Sequence, residues 1–131
     1  MTQTALPQVR AARILVIDDE APIRDLCARV LTRAGYQVTS AGSGEEGLAR
    51  LGEEPVDLIV TDIRMPGLSG LDVLERAKAA FPGVRVILIT GFGTPQTLAR
   101  AEQAGADRIL TKPFNPAELV AAVREILAPA G

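Results

Sequence analysis

Histidine and tryptophan are absent from this 131-residue chain, which carries one Cys, one Tyr and three Phe. Without an imidazole there is no His general base, no His-ligated zinc and no Ser-His-Asp triad. A lone Cys27 forms no intramolecular disulfide. A basic run is missing too. The 14 Lys and Arg are interspersed with 16 Asp and Glu, for a formal charge of −2, so the electrostatic footprint of a nucleic-acid binder is not there. The longest aliphatic runs, Ile14-Leu15-Val16-Ile17 and Val86-Ile87-Leu88-Ile89, are strand-sized, far short of the roughly 20 apolar residues of a spanning helix. Met1 to Arg10 lacks the apolar block of a secretory signal. These absences predict no direct nucleic-acid contact, no membrane association and a cytoplasmic location. They leave any chemistry to carboxylates, hydroxyls, Lys, Arg or a hard metal.

What is there reads as one domain with one core, given the length. Residues 1–11 mix Thr, Gln, Pro and Ala without periodicity and read as a flexible tail, residues 12–128 as the domain and 129–131 as a short C-terminal end. The run after Arg13 is continuous rather than alternating, as in strands covered on both faces. Ile23, Leu26, Cys27, Val30, Leu31 and Ala34 then recur at helical spacing, with Gly35 as terminator; Cys27 lies on that stripe and reads as core filler. Tyr36 to Ser40 is a short strand candidate. Ser43 with Glu46 reads as a reciprocal capping box opening a helix to about Leu51.

The same alternation continues. Val56 to Thr61 predicts a third strand ending at Asp62, and Ser69 caps a helix carrying Leu71, Leu74, Ala77 and Phe81. Val84 to Ile89 predicts a fourth strand ending at Thr90, followed by a helix opened by Thr94-Pro95 and closed by Gly105. Asp107 to Thr111 is a shorter fifth strand. Asn115-Pro116-Ala117-Glu118 opens a last helix with Leu119, Val123, Ile126 and Leu127 on one side. Five strands alternating with five helices specify a doubly wound α/β domain of the flavodoxin-like kind, a (βα)5 unit around a five-stranded parallel sheet. Pattern alone does not give strand order. The common order for this size, 2-1-3-4-5, puts the ligand crevice at the carboxyl ends of strands one and three.

The polar residues of interest lie just after strands: Asp18 and Asp19 after the first, Asp62 the third, Thr90 the fourth and Lys112 the fifth. The fold therefore gathers them at one rim. Taken singly, Asp18 or Asp19 reads equally well as a helix or turn cap, but the set does not. At ~5 Å and an effective dielectric of about 20, each ionised carboxylate pair costs roughly 3 kcal/mol, enough to shift titration or to demand a cation. Mg²⁺ suits oxygen ligands and keeps waters for the rest of its octahedron.

In four segments the chain resembles the receiver domain of bacterial two-component response regulators, the CheY-like fold, over roughly residues 12 to 128. The segments are Val16-Ile17-Asp18-Asp19-Glu20, Thr61-Asp62-Ile63-Arg64-Met65-Pro66-Gly67 with Gly70, Leu88-Ile89-Thr90-Gly91 and Thr111-Lys112-Pro113-Phe114. The Asp62 to Gly70 stretch is most similar to receivers of the NtrC type. The resemblance implies that Asp62 is a phosphoacceptor, taking a phosphoryl group from the phosphohistidine of a sensor histidine kinase or phosphotransfer protein. It implies that Asp19 and Asp62 hold Mg²⁺ directly with the Arg64 main-chain carbonyl, and that Asp18 acts through bound water. Lys112 would meet one phosphoryl oxygen and Thr90 another. With two Lys against twelve Arg in the chain, Lys112 stands out in an Arg-preferring composition. The Lys112-Pro113 bond is expected to be cis.

Arg64 and Phe92, at the positions that tune phosphoryl lifetime in that family, are bulky and are expected to shield the acyl phosphate from water. Ile109 stands where receivers often carry a rotating aromatic, so output is expected to run through the fourth and last helices as a population shift instead. Such a chain catalyses only its own phosphorylation and slow dephosphorylation, and signals to a downstream output protein or an output domain it has lost, with a phosphorylation-dependent homodimer among the arrangements allowed. No output module follows in this sequence, which reads as a stand-alone receiver or a piece of a longer regulator. The competing enzymatic reading is a small Mg²⁺-dependent phosphohydrolase with an aspartate nucleophile, which uses an Asp-x-Asp pair after the first strand. A flavin-binding flavodoxin would need a phosphate loop where this chain has acids.

Overall fold

In the computed structural model, which describes residues 11–91 and 93–128, strands β1 (Arg13–Ile17), β2 (Gln37–Ala41), β3 (Leu58–Asp62), β4 (Arg85–Thr90) and β5 (Arg108–Thr111) alternate with five helices. These are α1 (Ala21–Arg33), α2 (Gly44–Glu53), α3 (Gly70–Ala80), α4 (Pro95–Gln103) and α5 (Pro116–Leu127). The strands form one parallel sheet in the order β2-β1-β3-β4-β5, the expected flavodoxin-like arrangement. The predicted tail and C-terminal end, apart from Ala11, lie outside the described residues. Among the described residues no helix is long and apolar enough to cross a membrane.

Successive residues of a strand face opposite sides, and the continuous apolar strands therefore feed two cores. On one side Leu15, Ile17, Ile59, Val86 and Leu88 meet Leu51 of α2, Leu71, Val73, Leu74 and Ala77 of α3 and Ala101 of α4. On the other, Ile14, Val16, Leu58, Val60, Ile87 and Ile89 meet Cys27 and Leu31 of α1 and Leu119, Ala122 and Val123 of α5. At about 25 cal/mol per Å² of apolar area removed from water, each fully buried Leu or Ile contributes roughly 1.5–3 kcal/mol before chain entropy is counted. Edge strand β2 alternates exposed and covered positions, as one-sided packing at a sheet edge requires. Gly35 and Gly105 take φ of 105° and 93° after α1 and α4, the left-handed conformation in which glycine ends a helix at little steric cost.

Local expectations and structure differ at two places. The Ser43 hydroxyl accepts from the Glu46 amide, but Glu46 Oε1 reaches one residue further back, to the Gly42 amide at 2.9 Å, while Arg50 engages Oε2. The expected reciprocal box is thus a one-sided cap. A full box forms at Asn115 with Glu118, as expected, and another at Ser69 with Asp72. On α1, Leu26 is 38% exposed, the exposed large hydrophobic among the described residues. The helix rests on the sheet through Cys27 and Leu31, and Leu26 is rotated off that line.

Gly70 fixes the distance between α3 and the end of β3. Its amide donates to the Ile63 carbonyl at 2.8 Å, and a Cβ placed there would lie 2.3 Å from the Asp62 carbonyl oxygen and 2.9 Å from Ile63 Cα. Those neighbours are backbone and cannot rotate away. Gly52, near the end of α2, has nothing within 4 Å of a Cβ. In urea titrations Gly70→Ala is expected to lose about 2–3 kcal/mol of stability through overpacking. Gly52→Ala is expected to gain up to about 1 kcal/mol from helix propensity.

Candidate functional site

Parallel strands in register end together, and that places the polar residues. Ile17 pairs with both Ala41 and Thr61, Asp62 with Ile89, and Thr90 with Thr111. Asp18, Asp62, Thr90 and Lys112 therefore sit at or just beyond neighbouring strand ends, a few ångströms apart at the ~4.8 Å strand spacing. Asp18, Asp62 and Thr90 are buried, at 2%, 5% and 0% exposure.

Asp62 is held from both sides. Its Oδ2 accepts from Lys112 Nζ at 2.7 Å and its Oδ1 from the Arg64 amide at 3.2 Å. Lys112 Nζ also lies 3.5 Å from Glu20 Oε1. Burial works against the Lys112 charge, but the hydrogen bond to Asp62 and the charges of Asp62, Asp18 and Glu20 outweigh it and hold the ammonium above its ordinary pKa. The Lys112 amide donates to the Thr90 carbonyl at 2.8 Å, so the end of β4 and the lysine are tied together. The Lys112-Pro113 peptide is cis, as expected.

Asp18 has no such cation on it. Its Oδ1 accepts from the Glu20 amide at 2.9 Å, closing a tight turn that brings side chains 18 and 20 to one side. Oxygens of Asp18, Glu20 and Asp62 all lie within 4.8 Å of one another. Burial, and after it the Asp62 charge, raises the Asp18 pKa above the usual carboxylate range, against the lowering effect of the Glu20 amide. Burial likewise pushes the Cys27 thiol up to about 11, which agrees with a packing role for that sulfur.

The structure brings together four of the residues named from sequence, Asp18, Asp62, Thr90 and Lys112, with the Arg64 backbone beside them. Asp19, expected as a direct ligand with Asp62, is exposed and stands outside the carboxylate group. Glu20, itself exposed, is the third member of that group, a residue of the Asp18-Asp19-Glu20 motif for which the sequence suggested no role. The reason is the turn: spacing along the chain cannot show that positions 18 and 20, not 18 and 19, share a side. Phe92 lies outside the described residues. Ile109 is half-buried against the α2–α3 core.

The donor set fits a hard divalent ion. An octahedral Mg²⁺ with oxygens at about 2.1 Å spaces its ligands roughly 3.0–4.2 Å apart, close to the spread of these three carboxylates. Among the described residues one ammonium, Lys112, contacts this group of three acids, and a bound divalent ion would remove the surplus repulsion.

The family model described as response regulator receiver domain matches residues 14–124. The phosphate regulon transcriptional regulatory protein PhoB of Klebsiella pneumoniae is 38% identical over 119 residues, covering 89% of this chain and 52% of that protein. Sporulation initiation phosphotransferase F of Bacillus subtilis (strain 168) is 33% identical over 115 residues, 88% of this chain and 93% of that protein. Among solved structures, a response regulator receiver domain protein (CheY-like) from Methanospirillum hungatei JF-1 is similar with a TM-score of 0.88 at 35% identity, covering 90% of this chain and 94% of that one. This chain thus spans about half the length of PhoB and nearly all of the phosphotransferase.

The Asp18 charge is a stability cost that Mg²⁺ should relieve. The folded chain holds the Asp18 proton more tightly than the unfolded chain, so this contribution favours folding most in acid and fades as pH rises through the ordinary carboxylate range to the raised value. Without Mg²⁺ at neutral pH, Asp18→Asn is expected to stabilise the fold by up to roughly 3 kcal/mol, the scale of one relieved like-charge contact at ~5 Å and an effective dielectric of about 20. The gain should vanish in acid, and Mg²⁺ should raise the melting temperature of the native chain more than that of the variant. Thermal unfolding with Mg²⁺ and with EDTA at two pH values measures all three.

Proposed function

This chain belongs to the response regulator receiver domain family, and we propose that it takes a phosphoryl group onto Asp62 in a Mg²⁺-dependent step. The donor is the phosphohistidine of a sensor histidine kinase or phosphotransfer protein. The observation that carries the reading is the state of the Asp62 carboxylate: buried at the sheet rim, with Oδ1 on the Arg64 amide and Oδ2 on Lys112. A carboxylate held this way has lost its rotational freedom before the donor arrives, which is what a nucleophile in an in-line displacement needs.

An Asp62 oxygen forms the new bond to phosphorus, and the P–N bond of the donor breaks with its electron pair returning to the imidazole. No general base is needed, because the attacking oxygen carries no proton. The chain's lack of His is therefore compatible with the chemistry. Lys112, already against Asp62, would move its point charge to a phosphoryl oxygen, and the Thr90 hydroxyl, at the buried end of β4, would donate to another. Asp62, Asp18 and Glu20, with the Arg64 carbonyl, are the oxygens offered to Mg²⁺; Asp19 would join them by turning its exposed carboxylate inward. When bound, the ion supplies the positive charge that lets phosphoryl oxygens enter an acidic pocket.

The product adds charge at a site coupled through the Thr90–Lys112 backbone bond to β4 and β5, so a shift in the population of the α4 and α5 side is the output. That output is read by a separate protein or an attached module. Loss of the group is slow self-catalysed hydrolysis, with the exposed Arg64 side chain over the approach of water. The phosphohydrolase reading has no counterpart among the relatives named above.

Incubation with acetyl phosphate and Mg²⁺, followed by intact-mass measurement, is expected to add one phosphoryl group to the native chain and none to Asp62→Ala. Lys112→Ala is expected to slow the reaction by about 10²-fold or more, the usual scale for one preorganised charge. Continuous release of phosphate without an adduct would overturn the reading. After removal of the donor, Arg64→Ala is expected to lose its phosphoryl group faster than the native chain in a time course of intact mass.

A further inference from the structure

The turn from Asp18 to Glu20 decides which carboxylates face Asp62, and hydrogen bonds hold it at both ends. The Asp18 amide donates to the Ala41 carbonyl at 3.2 Å and the Glu20 amide to Asp18 Oδ1 at 2.9 Å. The carbonyls at the two ends of the turn are both taken by one residue of α1. The Arg24 amide donates to the Glu20 carbonyl at 3.0 Å, and Arg24 Nη1 donates to the Asp18 carbonyl at 2.7 Å. The second contact is at the short end of the range for charge-assisted bonds.

We propose that Arg24 is the positioning residue of the Mg²⁺ site: by holding the Asp18 carbonyl it fixes the 18–19 peptide and so aims carboxylates 18 and 20 at Asp62. The inference rests on the metal reading above and adds a residue that reading does not use. Arg24 acts on a main-chain carbonyl rather than on a carboxylate, so its contribution is geometric; it does not lower the negative charge of the site by pairing with an acid there. On its other side the guanidinium lies against Gly42. A Cβ at that position would come 3.3 Å from Arg24 Nη1 and 3.7 Å from Glu46 Oε1. The missing side chain at 42 leaves the room in which the guanidinium bridges the β1–α1 and β2–α2 loops. A planar, multiply donating head suits this place, and a Lys would keep one donor and the charge but not the fork.

The test measures Mg²⁺ alone, by calorimetry on the full chain, for the native protein, Arg24→Met and Arg24→Lys. Methionine keeps the apolar stem and removes the donor. Outer-shell partners typically alter metal affinity about 10–100-fold, so the Met variant is expected to bind Mg²⁺ at least about tenfold more weakly and the Lys variant within about threefold of native. The phosphorylation rate deficit of the Met variant, read by intact mass, should narrow as Mg²⁺ is raised. A Met variant whose affinity stays within about twofold of native overturns the proposal, as does equal weakening of both variants, whatever happens to thermal stability in EDTA. Should the Met variant fail to fold, Gly42→Ala replaces it, leaving Arg24 in place but crowding its guanidinium; weakened binding supports the proposal and unchanged binding overturns it. If the native chain itself takes up no Mg²⁺, the metal reading fails in the control arm and takes this inference with it.

Discussion

The 2.7 Å contact between Lys112 and Asp62 is the interaction around which the rim of this domain is arranged. Three carboxylates face one another there, two of them buried, and an isolated buried carboxylate would sooner take up a proton than stay charged. Lys112 sets a positive charge directly on one of them, Asp62. It does so from β5–α5, across β4, and it also lies within 3.5 Å of Glu20 on the opposite side of the crevice. A single ammonium therefore spans the acidic group but neutralises only part of it. The remaining negative charge adds to burial in raising the Asp18 pKa and is the physical basis for the affinity proposed for a divalent cation.

The rest of the fold makes that arrangement stiff in some places and lightly held in others. β1, β3 and β4 are covered on both faces by the two cores, and Gly70 lets α3 start against the backbone of Asp62. Asp62 thus sits at the end of a strand packed on both faces. α4 is different, burying Ala101 and leaning on α3 through Arg100, which contacts Asp72 and Glu75 with exposed groups. Surface pairs of that kind are screened and weak. The helix nearest the Thr90 end of β4 is accordingly among the elements with least to lose on shifting, which agrees with local stability being lowest where a domain changes shape.

Most of the fold was legible in the sequence because its signals are local. Continuous apolar runs marked strands covered on both faces, cap residues with Pro at the first helical position marked helix starts, and each strand ended on a polar residue. The places where expectation and structure part are those where a side chain chooses among partners close in sequence. Glu46 could serve the Ser43 or the Gly42 amide, and Arg50 on its other oxygen accompanies the second choice. Leu26 has helical spacing appropriate to the core, yet α1 sits on the sheet along Cys27 and Leu31. Residue spacing constrains which face a side chain is on to within a turn of helix, and packing decides the remainder.

By itself the sequence determined the parallel α/β class, the gathering of Asp18, Asp62, Thr90 and Lys112 at one rim, and the family resemblance in four ordered segments, since each follows from residue types at strand ends and from the fixed geometry of parallel strands. Only the tertiary structure decided that Glu20 rather than Asp19 joins the carboxylate group, that Lys112 rests on Asp62, and that Arg24 grips the Asp18 carbonyl. Those three depend on the direction of side chains leaving turns. A turn's direction is set by hydrogen bonds to elements elsewhere in the chain, here β2, α1 and the end of β5, whose positions exist only once the sheet has formed.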